Sequence, residues 1–544
     1  LAAFWLDRLL EASDPVASAT PWRLKAAWVF HRVGQPERVK AMLAGLSNAG
    51  RLTLPGGREV GRDQWLGPAR PAILPEPVLR DWPVFFGSPG RRGRADGGSP
   101  LLLSRWHRRM THRHAVAAVV RELVEDLGDL GQSMIPAFVP LVVGNKAIFR
   151  TLRGIEVIDI DNGQVLWETR PDVAVESLMV GRRGIVSRNG VIGGGFVPQV
   201  AVMAGGRVGN VRFGPVNGAA MNHPLTGLLF QHSLHGIPSS DGRQVFLVQE
   251  GMLLRNPPPS MRFGGFNPFG GNGARQPGQW NTLAAFDLVS GRPSWEVGGA
   301  KMDESFDLPL AGTRFLGAPA PQDGKLYVVG EQDNEVRLHV LEAATGQPVW
   351  SRRIAYVDGP ALRDPNRRWA SSHVAVSDGV AVCPTTVGWL VGVECSSRRI
   401  LWAHRYARPQ PESQSGGPGM MRVGVPGGYT PGARMASGWA AAPPVICGDR
   451  VVFTPHAEPV LNCLDLYTGR LLWKKKKESF LYVAGGFADR LVLVGADSVA
   501  AFDIADGKAT WTHKLQPSVG RPCGRGVATD DHFHLPLSSG QICT

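Results

Sequence analysis

The sequence predicts a mostly β protein, a seven- or eight-bladed β-propeller of four-stranded antiparallel blades preceded by a small α-helical region. Two observations carry that prediction. The first is a recurring unit in which an acidic residue is followed four positions later by glycine and eight positions later by tryptophan. It occurs as Asp159/Gly163/Trp167, Asp287/Gly291/Trp295, Glu342/Gly346/Trp350, Asp465/Gly469/Trp473 and Asp503/Gly507/Trp511. A sixth copy, Glu394/Arg398/Trp402, carries arginine in place of the glycine. With 46 acidic residues, 68 glycines and 16 tryptophans in 544, chance supplies roughly 0.2 full matches against the five found. Self-similarity at a few tens of residues is the signature of a solenoid or propeller.

The second observation is what precedes each unit. Val139–Phe149, Ala318–Val328, His373–Val382, Pro444–Phe453 and Phe487–Val494 each read as strand, turn, strand. Adding the acid-to-tryptophan hairpin gives about four short strands per repeat, the content of one blade. Each part of the unit has a physical task. The carboxylate ends a strand and accepts backbone N–H groups of the turn. Glycine takes the positive φ that the turn needs. Tryptophan on the next strand supplies a large apolar surface, on the order of 150–250 Å², to wedge neighbouring sheets together.

This acid-x-x-Thr-Gly-x-x-x-Trp unit resembles the PQQ-type, quinoprotein-like propeller repeat. That repeat is shared by quinoprotein alcohol dehydrogenases and BamB-type outer-membrane assembly lipoproteins. The resemblance covers residues 135–544. Asp81-Trp-Pro-Val-Phe-Phe-Gly-Ser-Pro-Gly-Arg-Arg-Gly93 is similar to the lead-in that precedes this kind of propeller. The resemblance implies a fold and leaves function open, because one fold hosts many activities.

Four regions are expected. Residues 1–49 form a helical, tetratricopeptide-like hairpin: an apolar run over Leu1–Ala12, then Thr20 as N-cap and Pro21 at the first helical position. Trp22, Ala26, Val29 and Phe30 follow at helical spacing, and Pro36-Glu37 opens a second helix with Val39, Leu43 and Leu46 on one face. Residues 50–110 are a Pro/Gly-rich connector in which Trp106 is the candidate for closing the last blade. A helix over 111–134 is marked by Val116, Val119, Val120, Leu123, Leu127 and Leu130. Residues 135–544 are the propeller, its last blade incomplete. The stretch 168–234 decides between seven blades and eight. Glycine-rich inserts fall at 251–280 and 403–440.

Net charge is +13, but the basic residues are scattered apart from Arg91–Arg94, Arg105–Arg109 and Lys474–Lys477. Such scatter reads as a solvated surface and not as a nucleic-acid interface. No apolar run is long enough to span a membrane. The first residue is leucine, so the true N-terminus is expected upstream, and the residues given leave a signal peptide or lipid anchor open. The expected location is the periplasm or cell envelope. Six cysteines, Cys383, Cys395, Cys447, Cys463, Cys523 and Cys543, form no Cys-x-x-Cys or adjacent pair and read as strand residues.

By the resemblance, an enzyme would hold PQQ on the propeller axis beside a calcium ion, with an aspartate base and adjacent cysteines. No residue matches those roles, so catalytic and metal residues are assigned as none. His107, His112 and His114, and the pair His532 and His534, lack a third ligand at metal-site spacing. Asp241-Gly242 and Asp323-Gly324 read as turn chemistry. The leading expectation is a monomeric, non-catalytic scaffold without cofactor that binds protein or peptide partners in cell-envelope assembly. The alternatives are a PQQ- and calcium-dependent alcohol or sugar dehydrogenase, or a glycan-binding propeller using Trp369, Trp389 or Trp439.

Overall fold

In the computed structural model, the described residues are 20–66, 81–95, 105–169, 185–192, 229–249, 280–406 and 439–544, less short breaks within those stretches. The chain divides into two units, Leu1–Val78 and Leu79–Thr544. The first holds the helices Thr20–Arg32 and Pro36–Leu43. They are followed by a three-stranded antiparallel sheet, Ser47–Asn48, Arg51–Thr53 and Glu59–Gly61, and a short helix, Arg62–Leu66. Leu24, Ala27, Phe30, Val39, Leu43, Leu52 and Leu66 share one core. The two helices fall where the periodicity puts them, but the tetratricopeptide-like reading is not supported. The helices are followed by sheet instead of a further helix pair, and Leu52 from that sheet completes their core. The buried face also runs through Leu24, Ala27 and Phe30, while Trp22 is exposed with the Lys25 ammonium over its ring. Leu1–Ala12 lies outside the described residues.

The second unit opens with residues 81–95 and the helix His114–Asp129, whose Val116, Val119, Leu123 and Leu127 are buried. The propeller follows and has seven blades. Blade 1 is Leu141–Val143, Lys146–Arg150, Ile155–Asp159 and Val165–Glu168. Blade 2 is Ser239–Ser240, Gln244–Gln249, Thr282–Asp287 and Pro293–Gly298. Blade 3 is Ala320–Gln322, Lys325–Gln332, Glu335–Glu342 and Pro348–Tyr356, with Arg314–Phe315 added beside its second strand. Blade 4 is Ala375–Ser377, Val380–Pro384, Trp389–Glu394 and Ile400–Arg405. Blade 5 is Val445–Cys447, Arg450–Phe453, Val460–Asp465 and Leu471–Lys476. Blade 6 is Phe480–Phe487, Arg490–Gly495, Ser498–Asp503 and Ala509–Lys514. Blade 7 contributes Val527–Ala528, Phe533–Pro536 and Ile542–Cys543. Apart from the added Arg314–Phe315, every ladder within a blade joins strands in chain order, and all are antiparallel. Among the described residues of 168–234 there is one two-stranded hairpin, Ile185–Ser187 with Gly190–Ile192, and no further blade.

The cores lie between blades. Blades 1 and 2 share Ile148, Val157, Val245 and Phe286; blades 2 and 3 share Phe246, Leu283, Val328 and Leu341. Both faces of a middle strand are therefore covered, which explains the continuous apolar runs in strands such as Val380–Pro384.

The recurring unit builds the same turn in all six copies. The acidic residue's carbonyl accepts the N–H four positions on, at 2.8–2.9 Å, from Gly163, Gly291, Gly346, Arg398, Gly469 and Gly507. These six residues have φ between 61° and 73°, Arg398 included. Asp465 Oδ1 accepts the N–H groups of Tyr467 and Thr468 and the Thr468 hydroxyl, and Asp287 does the same for Val289 and Ser290. A register shift just before each acid then re-aims the outer strand, so that the tryptophan lies opposite the residue two before the acid.

The tryptophan faces the turn of the following blade. A Cβ at Gly291 would lie 2.6 Å from the Trp167 ring, at Gly346 2.6 Å from Trp295, at Gly469 2.5 Å from Trp402, and at Gly507 2.9 Å from Trp473. Each indole also donates its N–H across the joint: Trp167 to Leu288 O, Trp295 to Ala343 O, Trp402 to Leu466 O and Trp473 to Ile504 O, at 2.8–3.0 Å. Trp350 packs into the core shared by blades 3 and 4, and Trp511 is exposed. Trp106 completes the pattern. A Cβ at Gly163 would lie 2.7 Å from its ring, and its indole N–H donates to Ile160 O at 2.7 Å, the role a tryptophan of the blade before blade 1 would take. The glycine is thus required twice, for its positive φ and for the bare surface that receives the indole.

Trp473→Ala should lower stability by about 3–5 kcal/mol, whereas Trp473→Phe should cost only about 0.5–1.5 kcal/mol for the lost hydrogen bond. Arg398→Gly should raise stability by up to about 1 kcal/mol, because it relieves a left-handed non-glycine residue. Thermal unfolding of the three variants checks the order, and equal losses for both Trp473 changes would remove the wedge.

Candidate functional site

The residues with unusual surroundings gather on the propeller axis. Residues 81–95 cross the innermost strands of six blades in turn. Trp82 pairs with Val142 of blade 1 through N–H···O bonds of 2.6 and 3.1 Å. The carbonyl oxygens of Pro83, Pro89, Gly90, Arg92 and Gly93 then accept N–H groups from Ser240, Val376, Ile446, Gly486 and Ala528. Those donors belong to blades 2, 4, 5, 6 and 7. Such a course needs sharp bends, and Phe86, Gly87, Arg91 and Gly93 all have φ between 63° and 81°. At Gly93 a Cβ would lie 3.1 Å from Gly485 Cα, so two glycines let the segment lie flat on blade 6.

This segment carries two phenylalanines and a guanidinium into the interior. Phe85, Phe86 and Arg91 are all at most 3% exposed. Arg91 donates from Nε to Val374 O at 3.1 Å and from Nη1 to Phe85 O at 2.8 Å. Arg525 lies over the Phe85 ring at 4.7 Å and beside Phe86 and Tyr482 at 5.8 Å, a desolvated cation–π arrangement. His373 packs edge-on against Phe85, with centroids 5.7 Å apart, and its Nδ1 accepts the Ala318 N–H at 3.2 Å. Burial, and then the Arg91 and Arg525 charges, push the His373 pKa down to about 3. Burial lowers Arg91 to about 9 and Arg525 to about 10, so both remain cationic at neutral pH.

The two sides of the disc differ. In six blades the residue after the signature acid donates its N–H to the turn joining the first two strands, as Leu288 to Arg243 O and Leu466 to Asp449 O. Both turns of a blade therefore share one face. It carries a shallow cavity of about 240 Å³ lined by Asp81, Pro83, Pro89, Ser240, Gln322 and Lys325, among others. The inserts 251–280 and 403–440, which lie almost wholly outside the described residues, join strand ends on the opposite face. There Glu331 and Arg367 form a buried ion pair that also binds Ala361 N, Gly359 O and Thr386 Oγ1, holding the blade 3–4 crossover in place.

The remaining sequence-predicted positions are accounted for by turns, strands and surface. Asp241 Oδ1 accepts the N–H groups of Arg243 and Gln244, and Asp323-Gly324 is a turn with φ of 50° and 72°. His107 and His114 are exposed, and His112 is outside the described residues. His532 and His534 stack at 6.0 Å, and His534 bonds Thr544 Oγ1. The six cysteines are free thiols, with Cys383, Cys447 and Cys463 buried in strands. Trp439 is buried and Trp389 is half-buried against Arg405, which corrects the expectation of exposed stacking platforms; Trp369 is outside the described residues. Within the Arg91–Arg94 run, Arg91 is interior. Sequence reasoning missed the axis because a run of arginines ordinarily marks a surface. The flanking Phe85-Phe86 and the spaced glycines were the available signal.

A quinone and calcium do not fit these residues. Calcium takes six to eight oxygen ligands, whereas the described axial groups are two guanidiniums, an imidazole and aromatic rings. The signature aspartates spend an oxygen on their own turns, and among the described residues no three His, Cys, Asp or Glu side chains gather as a metal site.

Comparison with known proteins agrees with the repeat. The model of the family described as outer membrane protein assembly factor BamB matches residues 279–429 and again 388–544. The outer membrane protein assembly factor BamB of Burkholderia pseudomallei (strain K96243) is 24% identical over 286 residues, covering 41% of this chain and 72% of that protein. Among solved structures, BamB from Moraxella catarrhalis aligns at TM-score 0.39 and 13% identity, over 73% of this chain and 81% of that one. A europium-containing methanol dehydrogenase aligns at TM-score 0.34 and 10% identity, over 85% and 90%. At these scores neither structure bears on what the chain does.

A pH dependence follows from a second buried imidazole. His339 is 1% exposed, beside Phe315, and burial, then Arg337, lowers its pKa to about 4. The unfolded chain binds this proton more readily, so the stability is complete above about pH 6.5 and falls as pH drops towards 4. The slope should reach about 1.4 kcal/mol per pH unit. Thermal unfolding between pH 7 and 4.5 should show a shallower fall for His339→Phe; an unchanged slope would refute the assignment.

Proposed function

We propose that the chain is a non-catalytic propeller scaffold that binds protein or peptide partners in outer-membrane protein assembly, on the periplasmic side of a cell envelope. The observation that carries this is the double match of residues 279–544 to the outer membrane protein assembly factor family. The geometry supports it. The signature residues are committed to holding blades together, and the axis is filled by side chains that repel a metal cation. What remains for recognition is loop surface, and the longest loops leave from the face opposite the tight turns. No helix of the described residues is long and apolar enough to cross a membrane.

Capture from envelope extracts with the purified chain should retain outer-membrane assembly proteins. Alanine substitutions across 251–280 and 403–440 should weaken that capture by about tenfold or more, as truncating interface anchors does. Full retention of every partner by those variants would sink the loop reading. Titration with PQQ and calcium should leave thermal stability unchanged, because a ligand of the folded state must raise it; a saturable rise would overturn the non-catalytic reading.

A further inference from the structure

Among the described residues, the buried Arg91 guanidinium has no carboxylate partner. Arg91 is 0% exposed, and its two hydrogen bonds go to neutral carbonyl oxygens. Its remaining terminal nitrogen, Nη2, is buried with no hydrogen-bond partner. His373 is 1% exposed, and because Nδ1 accepts the Ala318 N–H, the ring proton sits on Nε2, which is likewise buried and without a partner. The two side chains belong to one cluster. Arg91 Nε is bonded to the carbonyl of the residue after His373, its Nη1 is bonded to the Phe85 carbonyl, and the Phe85 ring packs on His373. Arg525 adds a second cation over the same Phe85 ring.

An unpaired buried charge and unsatisfied buried donors are both costly. A water molecule serves this site poorly, because it brings two hydrogens of its own to groups that are themselves donors. A spherical anion accepts from every direction and offsets the guanidinium charge. We infer that the propeller axis binds one small monovalent anion of the halide class, held by Arg91 Nη2 and His373 Nε2. The anion is a structural ligand of the hub. It sits apart from the loop face and does not depend on the partner reading.

The full chain crystallised or soaked in sodium bromide should show an anomalous peak within hydrogen-bond distance of Arg91 Nη2 and His373 Nε2. Bromide ordered elsewhere with only water at this position would overturn the inference. In solution, at constant ionic strength made up with gluconate, the unfolding temperature should rise with chloride by roughly 1–2 °C per tenfold above the dissociation constant. Arg91→Met should abolish that response. Should Arg91→Met not fold, His373→Phe serves instead and should shift the chloride response to higher concentration. Equal behaviour in chloride and gluconate would refute the site.

Discussion

The contact on which the propeller depends is an indole laid on the turn of the next blade. It joins two requirements that would otherwise be separate. The turn must adopt a left-handed residue, which favours glycine, and the joint must offer a flat, bare surface to a large ring. One glycine meets both, as Gly291 does under Trp167 and Gly507 under Trp473. The indole N–H then bonds a carbonyl of the same turn, so the joint has direction as well as area. Where arginine replaces glycine, at Arg398, the backbone still adopts φ 61°; the hydrogen-bonded frame of the turn overrules the residue preference.

Around the axis the problem is different. Innermost strands of a propeller expose edge N–H groups towards the centre, and unsatisfied backbone groups there would be expensive. Residues 81–95 answer this by presenting carbonyls to blade after blade. The same course forces polar and aromatic side chains inward, which is why the buried guanidinium of Arg91 and the rings of Phe85 and Phe86 meet at the hub. The outer rim is held by repeated joints of one kind, four of them a tryptophan on the glycine of the next blade, and the hub by a single irregular strap.

This division explains what could be read from the sequence. The rim is periodic, so spacing alone located Asp159, Trp167, Gly469 and their equivalents, and the strand that carries each. The strap occurs once, and no periodicity marks it. Arg91 reads as surface because charge is normally solvated, and its burial follows from a contact with Val374 that lies hundreds of residues away in sequence. The N-terminal unit failed for a related reason. Helical spacing found both helices, yet the sheet that covers them is made of strands of two or three residues, too short to show an alternation.

The strap also dictates an order of events during synthesis. Arg92 donates to Ile446, 354 residues further on, and Ala95 bonds Ala528 near the end of the described chain. A nascent chain that has left the ribosome as far as blade 5 therefore has its hub segment in hand but no complete ring to receive it. Early blades can zip locally, whereas closure waits for the last, and distant contacts of this kind slow folding. The chain must carry Phe85, Phe86 and Arg91 uncovered through most of its own translation, which makes the interval before closure the period when it most needs protection from aggregation.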